Sequence, residues 1–398
     1  MMSSKSLLWF AAALLCANGL PAAHAQTPKK LHIGAVISIS GGASSLGTKE
    51  ANAVKLLQEQ YASSAADRPY ELEITVMDDA SDPTRAVNAV RNLIQRDQVD
   101  AVVCCTATPA SMAVVPVVQE AQVPTISLAL ATSIIEPADE RQYVFKTAIT
   151  DRLMMEHVVK DMLARGYQRA AFLGLNDSYG DGGWEEFQRA AGNSGLEIVA
   201  SERFSRDDTS FVPQSLRIKQ HRPDAVYVHA IPPSAALMQD ALSRVGFKGQ
   251  VYQSGGSANQ AFIDVGKSAV AGTIVPVGPI QTYTQLPGDN PLLPVLDEFV
   301  QAYDAQYGKN KADQYAGYSW DAVRMIVAAY EGLDDAQAAA ASGSDERRQA
   351  LRQAIEALQE YKGVSGVFNF TPQDHLGLDD RAIYLTRVED GRFQLIGE

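Results

Sequence analysis

The stretch Ala101–Thr132, AVVCCTATPASMAVVPVVQEAQVPTISLALAT, constrains the fold more than any other part of the chain. Ala101 to Val103 is a short apolar run of β type, Thr106-Ala107-Thr108 is a polar turn, and Pro109 opens a helical segment that ends near Ala121. Val123 to Ser127 reads as a second short strand, and Ala129 to Thr132 as a second turn of small residues. A β-turn-helix-β-turn unit makes two parallel strands whose following loops lie at the same sheet edge. Thr108 is placed to cap the helix and Pro109 to be its first residue. A helix start offers unpaired backbone N–H groups and a partial positive charge, which suits a carboxylate. The hydroxyls of Thr106, Thr108 and Thr132 can add donors. Any one of these threonines alone is an ordinary loop residue. The two loops together point to a ligand site, because ligands favour this edge of open α/β sheets.

The same alternation recurs on both sides. Leu31 to Ile39 is a buried-type strand, followed by a Gly/Ser loop from Ser40 to Gly47 and a helix from Thr48 to Tyr61. Leu72 to Met77 is a strand. Asp78, Asp79 and Asp82 follow it and read as turn and cap residues ahead of a helix through Ala86, Val90 and Ile94. Tyr143 to Thr150 reads as a further strand, and after about residue 150 the βα rhythm restarts. Strands at Arg169–Leu175, Leu196–Ser201, Asp224–His229 and Gly249–Gln253 alternate with helices, and Asn176 to Gly182 reads as a turn before a helix that starts at Trp184. This is the pattern of a second doubly wound lobe. Thr273 to Ile280 carries two prolines and suits a sheet edge or a crossover. Helical segments at 291–307, 321–333 and 346–358 follow, with a loose Ala-rich connection at 336–344. Short strands at 366–370, 382–388 and 393–396 close the chain.

At 398 residues the chain is too long for one ordinary core and suits two lobes. A net charge of −13 with no basic cluster argues against nucleic acid and against an anionic membrane surface as partners. Residues 1 to 25 read as a cleavable export signal: Lys5, an apolar run from Leu7 to Leu15, and an A-x-A site at Ala23-His24-Ala25. That run is too short to span a bilayer. The bulky Leu14 and Leu15 before Cys16 do not suit a lipid-anchor signal. Adjacent Cys104 and Cys105 read as two small apolar thiols at a strand end, with a vicinal disulfide as the alternative. The Gly/Ser loop lacks the GxGxxG and GK[ST] signatures of nucleotide sites, so no cofactor is expected, and no His/Cys cluster has metal spacing. There is no GxSxG or HExxH, and Glu185 and Glu186 sit side by side where a helix turns them apart. His157, alone among apolar residues, reads as structural.

Several stretches in succession carry a family resemblance: IGAVISISGGASSLG, VMDDASDPTRAVNAVRNLIQRDQVDAVV, TPASMAVVPVVQEAQVPTIS, DSYGDGG, RPDAVYVHAIPPSAALMQDALSRVGFKG and YAGYSWDAV. In this order, over nearly the whole chain after the export signal, they closely resemble the periplasmic leucine/isoleucine/valine-binding proteins of ABC importers. The resemblance implies two doubly wound α/β lobes joined by three crossover strands, near Lys146, Val277 and Val364. One lobe would hold residues 27–147 and 279–364, the other 148–278 and 365–398. It implies a non-enzymatic, monomeric receptor in the periplasm that closes on a small molecule and serves an inner-membrane ABC permease. It implies that Thr106, Ala107 and Thr108 hold the ligand's carboxylate and amine, with Leu130, Ala131 and Thr132 as the second loop. Tyr179 would close over the ligand, Leu46 and Tyr315 stand where aromatic residues usually line the pocket, and Ile231 stands where a Tyr is common.

The resemblance departs at one loop. Amino-acid binders of this family carry an acid after the strand that here ends at Gln253, and it pairs with the ligand's ammonium. Here Ser254, Gly255, Gly256 and Ser257 offer none, and an unpaired buried ammonium is costly. Either Asp177 or Asp181 supplies the charge to a branched-chain or other hydrophobic amino acid, or the ligand is an aromatic or aliphatic carboxylate without an amino group. A ligand-sensing subunit of a signalling system and an enzyme on the same scaffold are the competing classes of function.

Overall fold

The computed structural model describes residues 29–396. The expected export signal, residues 1–25, lies outside the described residues. Among the described residues the chain builds two large sheets and a separate two-stranded hairpin. The first has strands β1 (Lys29–Ile37), β2 (Tyr70–Asp78), β3 (Ala101–Cys104), β4 (Thr125–Ser127) and β5 (Val144–Lys146), all parallel in the order β2-β1-β3-β4-β5. Helices α1 (Ser44–Ser63), α2 (Pro83–Gln95) and α3 (Thr108–Glu120) connect them, and α2 packs with α3. β1 and β3 are buried almost throughout, as strands covered by helices on both faces must be.

The chain then passes to helix α4 (Asp151–Ala164) and the second unit: β6 (Arg169–Leu175), α5 (Ser178–Ser194), β7 (Glu197–Phe204), α6 (Val212–Gln220), β8 (Ala225–His229), α7 (Ser234–Arg244), β9 (Gln250–Gln253), α8 (Gln260–Gly266) and β10 (Ile274–Val277). It returns to the first sheet with α9 (Leu293–Tyr307) and α10 (Gln314–Glu331), which pack on α1, then α11 (Asp335–Ala339), α12 (Asp345–Glu356) and the hairpin β11 (Tyr361–Gly363) and β12 (Gly366–Phe368). Strands β13 (Tyr384–Glu389) and β14 (Arg392–Leu395) complete the second sheet, in the order β14-β13-β10-β9-β8-β6-β7. Two lobes of doubly wound α/β architecture result, as the restart of the βα rhythm implies. Among the described residues no helix is long and apolar enough to cross a membrane.

The chain leaves the first sheet after Lys146 and the second after Val277. The last return falls later than residue 364. The β11–β12 hairpin is held to α10 by Asp321, which accepts from the Val364 and Ser365 N–H groups at 2.9 and 2.8 Å. The His375 carbonyl still accepts from Lys146 N–H at 3.1 Å, so this segment lies beside β5.

Several local expectations change for physical reasons. β10, with Pro276, is not at an edge but lies between β9 and β13. β9 pairs with it only at Ile274↔Tyr252, so no parallel ladder asks Pro276 for the N–H it lacks. α10 starts seven residues before Asp321, because Asp313 caps it by accepting from the N–H groups of Tyr315 and Ala316, each at 3.1 Å. The Ala-rich connection contains α11, started by a capping box of Asp334 and Gln337. Cys104 and Cys105 are joined as a vicinal disulfide, not left as two thiols.

Candidate functional site between the two sheets

Each sheet has one point where its strand order reverses, and such points open a crevice at the carboxyl ends of the strands. In the first sheet it falls between β1 and β3, in the second between β6 and β8. A small cavity, with about 20 Å³ of free room, is built from the loops at these two points. From the first sheet come Leu46, at the start of α1, and Thr106, Ala107 and Thr108 after β3; Leu128 and Leu130 follow β4. From the second come Tyr179 after β6 and Ile231 after β8, with Arg206 from the loop after β7. Tyr315 closes the ring from the first turn of α10. As the lobes stand, that room is well below the roughly 300 Å³ at which ligand pockets begin.

The wall is mostly apolar, and its hydroxyls are unequal. The Thr106 hydroxyl accepts from Ser38 N–H at 3.0 Å and is hydrogen-bonded to the Glu50 carboxyl. Burial, reinforced by nearby Asp79 and Asp313, pushes Glu50 well above the usual carboxylate range, although the Thr106 bond opposes it. Thr132 does not line the cavity. Its hydroxyl donates to Asp151 at 2.5 Å and its N–H donates to the same oxygen at 2.8 Å. The expectation that Thr106 and Thr132 offer free hydroxyls is therefore corrected: each is spent on a buried acid. Thr108 differs. The cap of α3 is Ala107, so Thr108 and Pro109 occupy the first helical positions, one residue earlier than the sequence implies. Ala107 has no oxygen to cap with, so the first N–H groups of α3 have no side-chain partner. The Thr108 hydroxyl likewise makes no hydrogen bond to protein among the described residues.

Ala131, Ser254 and Gly255 lie behind the wall and not in it. Ala131 carbonyl accepts from the buried Lys146 ammonium at 2.9 Å. Burial brings Lys146 down to about 7, and Asp151 and Glu136 oppose that shift. Ser254 hydroxyl accepts from Tyr179 hydroxyl at 2.9 Å and donates to Ala230 carbonyl at 3.0 Å. Gly255 carbonyl takes two donors from the other lobe, Tyr315 hydroxyl at 2.9 Å and Gln314 Nε2 at 3.0 Å, while Gln314 Oε1 accepts from Gly278 N–H at 3.2 Å. These bonds draw the two lobes together over the cavity.

The two acids offered as partners for an ammonium are engaged elsewhere. Asp177 caps α5 through the N–H groups of Tyr179 and Gly180, at 3.0 and 3.1 Å, and its other oxygen holds Arg206 through Nε at 3.0 Å and Nη2 at 2.8 Å. Asp181 points to Arg203 at 3.3 Å and is 66% exposed. Leu128 and Arg206 are the lining residues that sequence reasoning missed. Leu128 stands directly before a loop already singled out. Arg206 lies in a loop after an edge strand, and no motif marks it.

A match to the periplasmic binding protein model spans residues 30–392. The chain belongs to the periplasmic binding protein family. As a member of that family it is 22% identical over 373 residues to the Leu/Ile/Val-binding protein homolog 7 of Brucella abortus, covering 91% of this chain and 88% of the relative. Among solved periplasmic and extracellular receptors, an extracellular ligand-binding receptor from Rhodopseudomonas palustris HaA2 is 31% identical. It superposes with a TM-score of 0.85 over 92% of this chain and 99% of that one. The branched-chain amino acid transporter substrate binding protein LivJ from Streptococcus pneumoniae, solved in complex with isoleucine, is 20% identical with a TM-score of 0.76, over 92% of this chain and 99% of that one. At that identity it supports the type I periplasmic-binding fold alone.

Proposed function

We propose that this periplasmic binding protein is the non-catalytic receptor of an importer. It takes a small hydrophobic carboxylate, with or without an amino group, between its lobes in the periplasm and delivers it as a monomer to an inner-membrane ABC permease. The observation that carries the reading is the placement of the cavity: the reversal points of both sheets face it, and the free N-terminus of α3 opens onto it. In this reading the α3 N–H groups and the Thr108 hydroxyl receive the carboxylate. Leu46, Leu128, Leu130 and Ile231 bury the apolar part of the ligand, and Tyr179 and Tyr315 supply flat faces. Ser254, Gly255, Ala131 and Thr132 act from behind, holding Tyr179, Tyr315 and the hinge in place. The names of the Brucella and Streptococcus relatives, which concern branched-chain amino acids, agree with a small hydrophobic ligand.

A thermal-shift panel of amino acids, hydroxy acids, and aliphatic and aromatic acids tests the reading. A ligand bound only by the folded state at a hundred times its Kd adds about 2.7 kcal/mol of stability and raises Tm. A rise with at least one small carboxylate, without turnover, is expected. No rise for any member contradicts the receptor reading, and conversion of a member to product replaces it with an enzyme.

A further inference from the structure

We propose that the cavity selects a small apolar monocarboxylate that carries no ammonium group, and that Arg206 makes the distinction. The inference rests on the receptor reading above and narrows its ligand. An ammonium shut into a cavity this small needs an anion within reach. None of the residues lining the cavity is acidic; the one charged group among them is the Arg206 guanidinium.

The carboxyl groups around the wall each use at least one oxygen elsewhere and none lines the cavity; Glu50 Oε1 and Asp151 Oδ2 are buried without a hydrogen bond. Asp177 gives one oxygen to the cap of α5 and the other to Arg206. Asp181 faces solvent with Arg203. Asp313 caps α10. Asp151 takes Thr132 and lies close to the Lys146 ammonium. Glu50 is bonded to Thr106 in full burial, which favours its neutral form.

Neither glycine of the loop after β9 has free space for the missing acid. A Cβ on Gly255 would stand 2.5 Å from Met154 Sδ, and one on Gly256 would stand 2.7 Å from the Tyr179 hydroxyl and 2.9 Å from Ala230 carbonyl. A side chain at either glycine would force this packing, all of it from the second lobe, to shift. Arg206 supplies the opposite charge. Its Nε and Nη2 are fixed on Asp177, and Nη1 has no hydrogen bond among the described residues, so the guanidinium is oriented and still has donors left. Asp177 offsets much of its charge, but the guanidinium has no acceptor for an ammonium and can donate to the oxygens of a carboxylate or a neighbouring oxo group.

The test is calorimetry on the full mature chain with three ligands of one carbon skeleton: 4-methylpentanoate, 4-methyl-2-oxopentanoate and leucine. The deaminated acids are expected to bind at least tenfold more tightly than leucine. Arg206→Lys, which keeps the charge, is expected to keep the order. Arg206→Gln frees Asp177 and is expected to erase or invert it, with the urea midpoint of each variant checking the fold. Leucine binding as tightly as the deaminated acids to the wild type overturns the proposal and leaves the receptor reading standing. So does an unchanged preference in Arg206→Gln. Failure of the whole thermal-shift panel overturns both.

Discussion

Three threonines in two loops look alike in the sequence, and their partners separate them. Thr106 and Thr132 each spend the hydroxyl on a buried acid, while Thr108, set inside the first turn of α3, keeps its own. Losing a hydrogen bond to a charged group costs about 1.5–3 kcal/mol, roughly ten- to a hundred-fold in affinity. Thr108→Val is therefore expected to weaken carboxylate binding by that factor with its urea midpoint unchanged; calorimetry giving wild-type affinity removes the hydroxyl from the site. His229 makes a second prediction. It is fully buried under the Tyr179 ring, 4.0 Å between centroids, and burial, aided by the Arg203 charge, brings it down to about 3 from an ordinary 6.5. The folded state therefore binds fewer protons than the unfolded one between these values. Its contribution is whole above pH 6.5 and is lost as pH falls towards 3. The stability advantage of wild type over His229→Gln is expected to shrink by on the order of 2 kcal/mol between pH 6.5 and 4.5, read by urea unfolding at each pH. A constant gap contradicts a buried neutral imidazole. Which loops form the site was legible, because loop position follows from the order of strands and helices. The acids that consume the hydroxyls, at positions 50 and 151, and the guanidinium at 206 were not. They reach the site from distant turns, and no local spacing records that.

At the scale of one element, the start of α5 shows where propensity misleads. Asn176 to Gly182 reads as a turn, yet the helix begins at Ser178 because Asp177 caps it. Its glycines are there for close packing: a Cβ on Gly180 would stand 1.8 Å from Leu175 carbonyl oxygen, and one on Gly183 would stand 2.4 Å from the His229 ring. Gly192, in the same helix, meets nothing within 4 Å. Alanine normally stabilises a helix interior relative to glycine by roughly 0.5–1 kcal/mol. Gly192→Ala is expected to gain that amount. Gly183→Ala is expected to lose about 1–3 kcal/mol through overpacking, the opposite sign in one helix. Equal effects in urea unfolding would mean that the His229 contact does not constrain this turn. The start of α10 was missed for a similar reason. Asp313 is a legible cap signal, but the segment before Asp321 shows no apolar stripe, because the helix is buried there on nearly all sides.

For the whole molecule, the restart of the βα pattern near residue 150 was enough to imply two doubly wound lobes, because parallel strands need helical crossovers and reversal points. The position of the last return was not readable. The β11–β12 hairpin and the His375 segment are held to the first sheet by Asp321 and Lys146, contacts far apart in sequence. The cross-lobe bonds of Gln314 and Tyr315 to Gly255 mark the arrangement that a bound ligand would favour over a more open one. A receptor of this kind works by closing, with the motion concentrated where the chain passes between lobes. Small-angle scattering of the mature protein, alone and saturated with 4-methylpentanoate, tests this most directly. The account predicts a smaller radius of gyration with the carboxylate bound; an unchanged radius, with binding demonstrated by calorimetry in the same buffer, would contradict it.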